Sequence, residues 1–315
     1  MTEEERAVSA DNGRLALPAI VVHGGAGRFD RVRTDAHVER IGAGLSGALD
    51  AGWAVLSAGG SAVDAVVEAV AYLEDSGRFN AGRGSVTTSD GSVEFDASVM
   101  NASTGRVGAI CASTWPANPV RVARKVAEIG GPPDGPTLLA GAGADSFASE
   151  QGFQPMTPAM LASATAETDV GDEISSEAGT VGAVAVDGDG RIAAATSTGG
   201  RAGQMRGRVG DSPIPGAGIW AACDTAAVSA TGAGEAFVVA GFSHRVDWEM
   251  RAGADLDTAM ARALATVAGF GGDGGGIAIT SDGTFSASFN SAAMARGWRD
   301  AGGTVTRVFP TGTGS

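Results

Sequence analysis

Three places in the chain bring together residue types that can do chemistry. The first is Gly179-Thr180, where an acidic stretch, TAETDVGDEISSEAG, meets an apolar alternating one, TVGAVAVDGDGRIAAATSTGG. A cut before Thr180 would expose a threonine amine. An α-amino group has a pKa of about 8, so near neutrality a useful fraction can take the hydroxyl proton as general base. One residue then supplies both nucleophile and base. Gly179 tolerates strained backbone, which would let the Thr180 hydroxyl attack the Gly179 carbonyl and convert amide to ester before hydrolysis. Taken alone, a threonine opening a strand is explained more simply by β-propensity.

The second place is GRVGDSP, in which Arg208 can grip a carboxylate bidentately and Asp211 can hold an ammonium group. That describes a clamp for an amino acid, and it equally describes a salt bridge between the two residues. The third is SATGAGE. There Thr231, Gly232 and Gly234 sit between a strand and a helix, so backbone amides and a hydroxyl could stabilise developing negative charge. The same residues also suit a plain strand-to-helix turn with Thr231 as cap. Thr198 in TSTGG carries the same two readings.

The elements that must position these groups follow from periodicity. From Pro18, AIVVH reads as a central strand running into the glycines of HGGAG. A helix over about Val38 to Leu56 and a second opening on the capping box of Ser61 and Asp64 come next, closed at Gly77. The turn SDG predicts a hairpin into SVEFDASV, with strand VGAICAST beyond it. Short helices near Val120 to Ile129 and Asp145 to Glu150 precede a linker of about 155–179 that lacks the apolar residues to repay ordering. DGDG closes a strong hairpin after Thr180. Strands around Ile219 to Thr231, helices from Glu235 to Ala252 and Leu256 to Val267, and an antiparallel meander end the chain. Strands at the start, middle and end with paired helices between them predict an α+β chain folded as a four-layer αββα sandwich. Residues 1–17 read as a polar extension, and residues 18–315 as one domain.

Composition narrows the chemistry. Among 315 residues, 43% are hydrophobic, only 5% are aromatic and 50 are glycine, so the core must be built from small aliphatic residues packed closely. A net charge of −14 disfavours nucleic acid and anionic membranes as partners. His23, His37 and His244 are scattered, and Cys111 and Cys223 lack ligand spacing, which disfavours a catalytic metal. HGGAG lacks the GxGxxG spacing of a dinucleotide site, and DGDG lacks the glutamate of a calcium loop. The acidic start without an apolar stretch predicts a cytoplasmic protein.

VVHGGAG, FNAGRGS, GTVGAVAVD, ATSTGG, GRVGDSP and TGAGE stand in the order seen in the plant-type asparaginases, also called isoaspartyl peptidases, and the chain resembles that family from about Ile20 to its last strands. The resemblance implies an N-terminal-nucleophile hydrolase that cleaves itself between Gly179 and Thr180 into chains 1–179 and 180–315. Thr180 would be the nucleophile and Thr198 a supporting threonine. Thr231 and Gly232 would serve as oxyanion contacts. Arg208, Val209, Gly210 and Asp211, with Thr231, Gly232, Ala233 and Gly234, would bind an amino-acid or dipeptide substrate, and Asn80 would lie beside the site. No organic cofactor is implied. In some members a structural sodium ion sits on the backbone of residues matching Leu73, Glu74, Ser76, Phe79, Ala81 and Arg83. A dimer of cleaved αβ units is the expected assembly.

Two departures stand out. Ala178 replaces a histidine found in many relatives before the cleavage pair, and Gly77-Arg78 replaces a Pro-Leu in the sodium loop. The expected reaction is hydrolysis of β-aspartyl dipeptides and asparagine to aspartate. The alternatives are an aspartylglucosaminidase, which resembles the chain around GRVGDSPIPGAG, and an unprocessed amino-acid-binding protein.

Overall fold

Side chains alternate across a strand, so a strand buried on both faces must be apolar on both, and the middle strands of this chain are. In the computed structural model, which describes residues 8–27, 35–131, 135–161 and 179–310, β2 (Ala19–Gly27) and β6 (Val181–Val186) run side by side. Ile20, Val22, Val181, Ala183 and Ala185 face one way, and Ala19, Val21, Val184 and Val186 the other.

The first face packs on helices α1 (Asp35–Ser57), α2 (Ala62–Asp75) and α3 (Pro119–Ile129). The second meets another sheet, from which Ile219, Ala227, Ile277, Ala287 and Phe289 enter the shared core. Beyond that sheet lies a third core. It is formed with α5 (Gly234–Ala240), α6 (Phe242–Arg251) and α7 (Leu256–Gly269) around Phe237, Phe242, Met260 and Leu264. Three cores separate four layers, the αββα sandwich.

The larger sheet also contains β3 (Phe95–Asn101), β4 (Arg106–Ser113), β5 (Leu138–Ala140), β7 (Ile192–Thr198), β12 (Ala293–Asp300) and β13 (Gly303–Arg307). Its order is β13-β12-β2-β6-β7-β3-β4-β5. The smaller sheet runs β1 (Ser9–Arg14), β11 (Thr284–Phe289), β10 (Gly274–Ile279), β9 (Ala227–Gly232) and β8 (Ile219–Ala221). Helix α4 (Gly141–Glu150) packs beside β4. Small residues bring the layers to backbone contact: a Cβ on Gly108 of β4 would collide with the backbone of Ala123 and Ala127 in α3.

Local signals explain most boundaries. The Ser61 side chain accepts from the Asp64 amide at the start of α2, and Asp255 caps α7 through Thr258. The Asp187 carboxylate accepts from the amides of Asp189 and Arg191, which closes the β6–β7 hairpin.

Three expectations need correction. The polar residues 9–14 lie inside the domain and not ahead of it: Ser9–Arg14 pairs along its length with β11, and Asp11, buried, joins Arg296 and Arg307. The SDG turn forms, closed by the Thr88 amide on the Ser92 carbonyl, but the chain leaves it without pairing and becomes a strand only at Phe95. The closing meander is divided, since β10–β11 lies in one sheet and β12–β13 in the other. Of the predicted linker, Pro155 and Met156 bind the segment around Trp115 and Pro116, and residues 162–178 lie outside the described residues.

Candidate active site

Thr180 stands at the mouth of β6, held by strands on both sides: Val181 pairs with Ser197 and Gly182 with His23. It is nearly buried, at 9% exposure, and its Oγ1 lies 3.4 Å from Ser212 Oγ. One step beyond the Val181–Ser197 pair comes Thr198, also buried, whose Oγ1 accepts from the Gly200 amide at 3.1 Å. Thr231 reaches the same place from the other sheet. It is fully buried, its Oγ1 has no hydrogen-bond partner, and that atom is 3.1 Å from where a side chain on Gly179 would begin. An orphaned hydroxyl is costly, so one aimed at the Gly179-Thr180 link is a feature to explain.

HGGAG, which lacks the spacing of a dinucleotide site, closes the other side. Gly25, at φ +111°, approaches so closely that a Cβ there would lie 2.7 Å from the Gly179 Cα. Only glycine fits, both for its dihedral and for this contact. Beneath, His23 Nε2 is 2.9 Å from Ser229 Oγ, which is 2.8 Å from Thr196 Oγ1. Burial pushes His23 down to about 3, so the ring is neutral.

The clamp residues gather around Gly234. A Cβ on Gly234 would lie 2.8 Å from Arg208 Nη2 and 3.0 Å from Asp211 Oδ1. The Arg208–Asp211 salt bridge weighed from sequence does not form. Arg208 instead donates from Nε and Nη2 to the two oxygens of Glu235, each at 2.9 Å. Asp211 is buried, its Oδ2 has no hydrogen-bond partner, and burial raises its pKa to about 7 against the pull of its own backbone amide and of Arg208. A buried carboxylate with an empty oxygen is ready for an ammonium group.

Val209 is half-buried, and Gly210 lies beneath the guanidinium, where a Cβ would be 2.9 Å from Arg208 Nη1. Gly232 ends β9, while Ala233 commits its amide to the Asp273 carbonyl. Asn80 works as a brace: it donates from Nδ2 to the Gly200 carbonyl at 2.7 Å and accepts from the Val86 amide at 3.1 Å. Sequence reasoning missed Ser212, Asp96 and Glu235. The first and last sit inside motifs already singled out, so their positions were a usable signal.

The asparaginase family model matches residues 16–170 and 159–308. The chain belongs to this family. It is 42% identical over 289 residues to an isoaspartyl peptidase/L-asparaginase of Danio rerio, covering 88% of this chain and 91% of that one. It is 40% identical over 296 residues to a plant-type L-asparaginase of Pyrobaculum calidifontis, covering 90% and 97%. An isoaspartyl peptidase of Escherichia coli is 38% identical over 312 residues, covering 93% and 96%.

The loop that resembles the family's sodium site is occupied by its own bonds. The carbonyls of Leu73, Phe79 and Ala81 accept from Ser76 Oγ, the Ala81 amide and the Gly84 amide, and Arg83 donates to the Asp75 carbonyl at 3.2 Å. The Glu74 side chain turns inward instead, accepting from the Val120 amide and from Ser197 Oγ, and burial raises it to about 8. Among the described residues no cluster of His, Cys, Asp and Glu could hold a metal, and no helix is long and apolar enough to cross a membrane.

Proposed function

We propose that the chain is an autoprocessing threonine amidohydrolase that releases L-aspartate from β-aspartyl dipeptides and L-asparagine. The observation that carries this reading is the meeting of Thr180, Thr198 and Thr231 at the Gly179-Thr180 link beside a clamp for an amino acid. The names of the relatives agree with it.

In the first step Thr180 Oγ1 attacks the Gly179 carbonyl, with the Thr231 hydroxyl donating to the oxyanion; the Gly179–Thr180 C–N bond then breaks as the hydroxyl proton passes to nitrogen, giving an ester and a free Thr180 amine. Water hydrolyses the ester, releasing the Gly179 carboxylate and restoring the Thr180 hydroxyl. In the mature enzyme that amine takes the Thr180 hydroxyl proton, and the oxygen attacks the side-chain amide of the substrate. The α-carboxylate rests on Arg208 and the α-ammonium on Asp211. Ammonia or an amine leaves with a proton, and water, deprotonated by the same amine, releases aspartate. Thr198, supported by the Gly200 amide, keeps the nucleophile's neighbour strand in register.

No step needs an organic cofactor or the sodium ion. Replacing sodium by potassium in the buffer should leave activity and melting temperature unchanged, and a large loss on exchange would restore the ion site. Nothing observed favours the glycosylated substrate or the non-catalytic reading. Cytoplasmic action and pairing of two cleaved units complete the proposal, to be checked by fractionation and sedimentation. Thr180→Ala tests the core of it: the variant should remain one chain and hydrolyse no asparagine, whereas turnover by it would defeat the mechanism.

A further inference from the structure

Arg208 faces three carboxylates, Asp96, Asp211 and Glu235. The role of Asp96 is unaccounted for by the clamp. Its side chain is 3% exposed, and Oδ1 accepts from the Ala112 amide at 2.8 Å while Oδ2 has no hydrogen-bond partner. Ala112 is the one described non-glycine residue with positive φ, at 47°, and it lies where the β3–β4 register slips between Phe95 and Ala97. A strained residue in a bulge persists only where its surroundings demand it, and here the bulge turns an amide toward Asp96. The backbone of Asp96 pairs with Thr198, and the residues two before and two after it hold both ends of the clamp loop: Glu94 accepts from the Gly207 amide at 2.9 Å and Ser98 donates to the Ser212 carbonyl at 2.6 Å. Side chains alternate along a strand, so Asp96 lies between these two anchors, facing the loop that carries Arg208 and Asp211.

We propose that Asp96 is a positioning residue for substrate binding, which backs the 208–211 loop between the anchors at Glu94 and Ser98 and supplies the negative field that makes Asp211 demand an ammonium group. The inference rests on the clamp reading of Arg208 and Asp211. The charged and titratable groups facing Asp96 are Arg208 and Asp211 on the loop, Glu94 beside it on its own segment and Cys111 on β4. Glu94 meets Arg206, and Glu235 meets Arg208. Substrate brings a cation to the unpartnered oxygen of Asp211.

The test compares L-asparagine with succinamic acid, which is asparagine without its α-amino group, in wild type, Asp96→Asn, Asp96→Glu and Asp211→Asn. Asp96→Asn keeps an oxygen for the Ala112 amide and removes the charge. It should mature normally, keep kcat within about twofold, and lose at least about fivefold of the preference for asparagine through KM. The pH below which KM rises should drop by about half a unit or more, because Asp211 loses a like-charged neighbour. Asp96→Glu should restore that pH, since it keeps the charge. An unchanged preference and an unchanged KM profile in Asp96→Asn, with only a lowered melting temperature, would overturn the proposal in favour of a structural role. If Asp96→Asn does not fold, Asp96→Glu decides alone: a pH profile that moves despite the retained charge overturns it. Unchanged preference in Asp211→Asn would instead defeat the clamp reading itself.

Discussion

Arg208 meets Glu235 before it meets any substrate. Two charge-assisted hydrogen bonds at 2.9 Å fix the guanidinium plane, and Nη1, over Gly210, makes only a long bond of 3.4 Å to Gln204 Oε1. A hydrogen bond to a charged group contributes about 1.5–3 kcal/mol, so Arg208→Ala should raise KM by about ten- to a hundredfold and change kcat less, as steady-state kinetics would show. Asp211 supplies a pH signature. Burial raises it to about 7, so below that pH it holds a proton and must release it to receive an ammonium. KM should therefore rise as pH falls through 7, while protonation of the Thr180 amine would appear in kcat. A KM flat from pH 8 to 5.5 would speak against Asp211 as the ammonium site. Both residues were legible in GRVGDSP because their types fit one ligand at short spacing. Their partners were not, since Glu235 and Asp96 arrive from other elements and no local pattern links them to Arg208.

At the scale of elements, spacing read best where local chemistry decides. The Ser61 cap, the DGDG hairpin, the helix expected from about Val38, which begins at Asp35, and the helix from Leu256 all form as their own sequence dictates. The strand Ser9–Arg14 was illegible because SADNGR does not alternate and carries Ala10 as its one apolar residue. What places it is distant charge: Asp11 lies between Arg296, fully buried over the Phe289 ring, and Arg307. Removing one partner of a buried ion pair strands the other, at a cost of about 3–5 kcal/mol. Asp11→Ala, or deletion of residues 1–14, should lower stability by that amount in a denaturant titration, and a change below about 1 kcal/mol would show that the strand is dispensable. The SDG turn misled for the converse reason. Its residues suit a hairpin, but Glu94, just beyond, is drawn to the Gly207 amide, and the chain serves the substrate loop instead of a strand.

Across the whole molecule, the four layers put the site where the two sheets meet, with Thr180 and Thr198 contributed by the larger and Thr231 by the smaller. The layer order was readable because strand groups and helix pairs alternate along the chain. The convergence was not, because it depends on how one sheet lies over the other. The sandwich also explains how a cut at Gly179-Thr180 can leave a joined enzyme. β2 lies between β12 and β6, β3 lies beside β7, and β1 adds to the sheet built from the second half, so the two products interleave. The most direct measurement is intact mass and amino-terminal sequencing of the purified protein alongside asparagine hydrolysis. The account predicts two co-purifying chains, 1–179 and 180–315, with Thr180 as the new amino terminus and activity that appears with the cut. A single uncleaved chain that hydrolyses asparagine would contradict it.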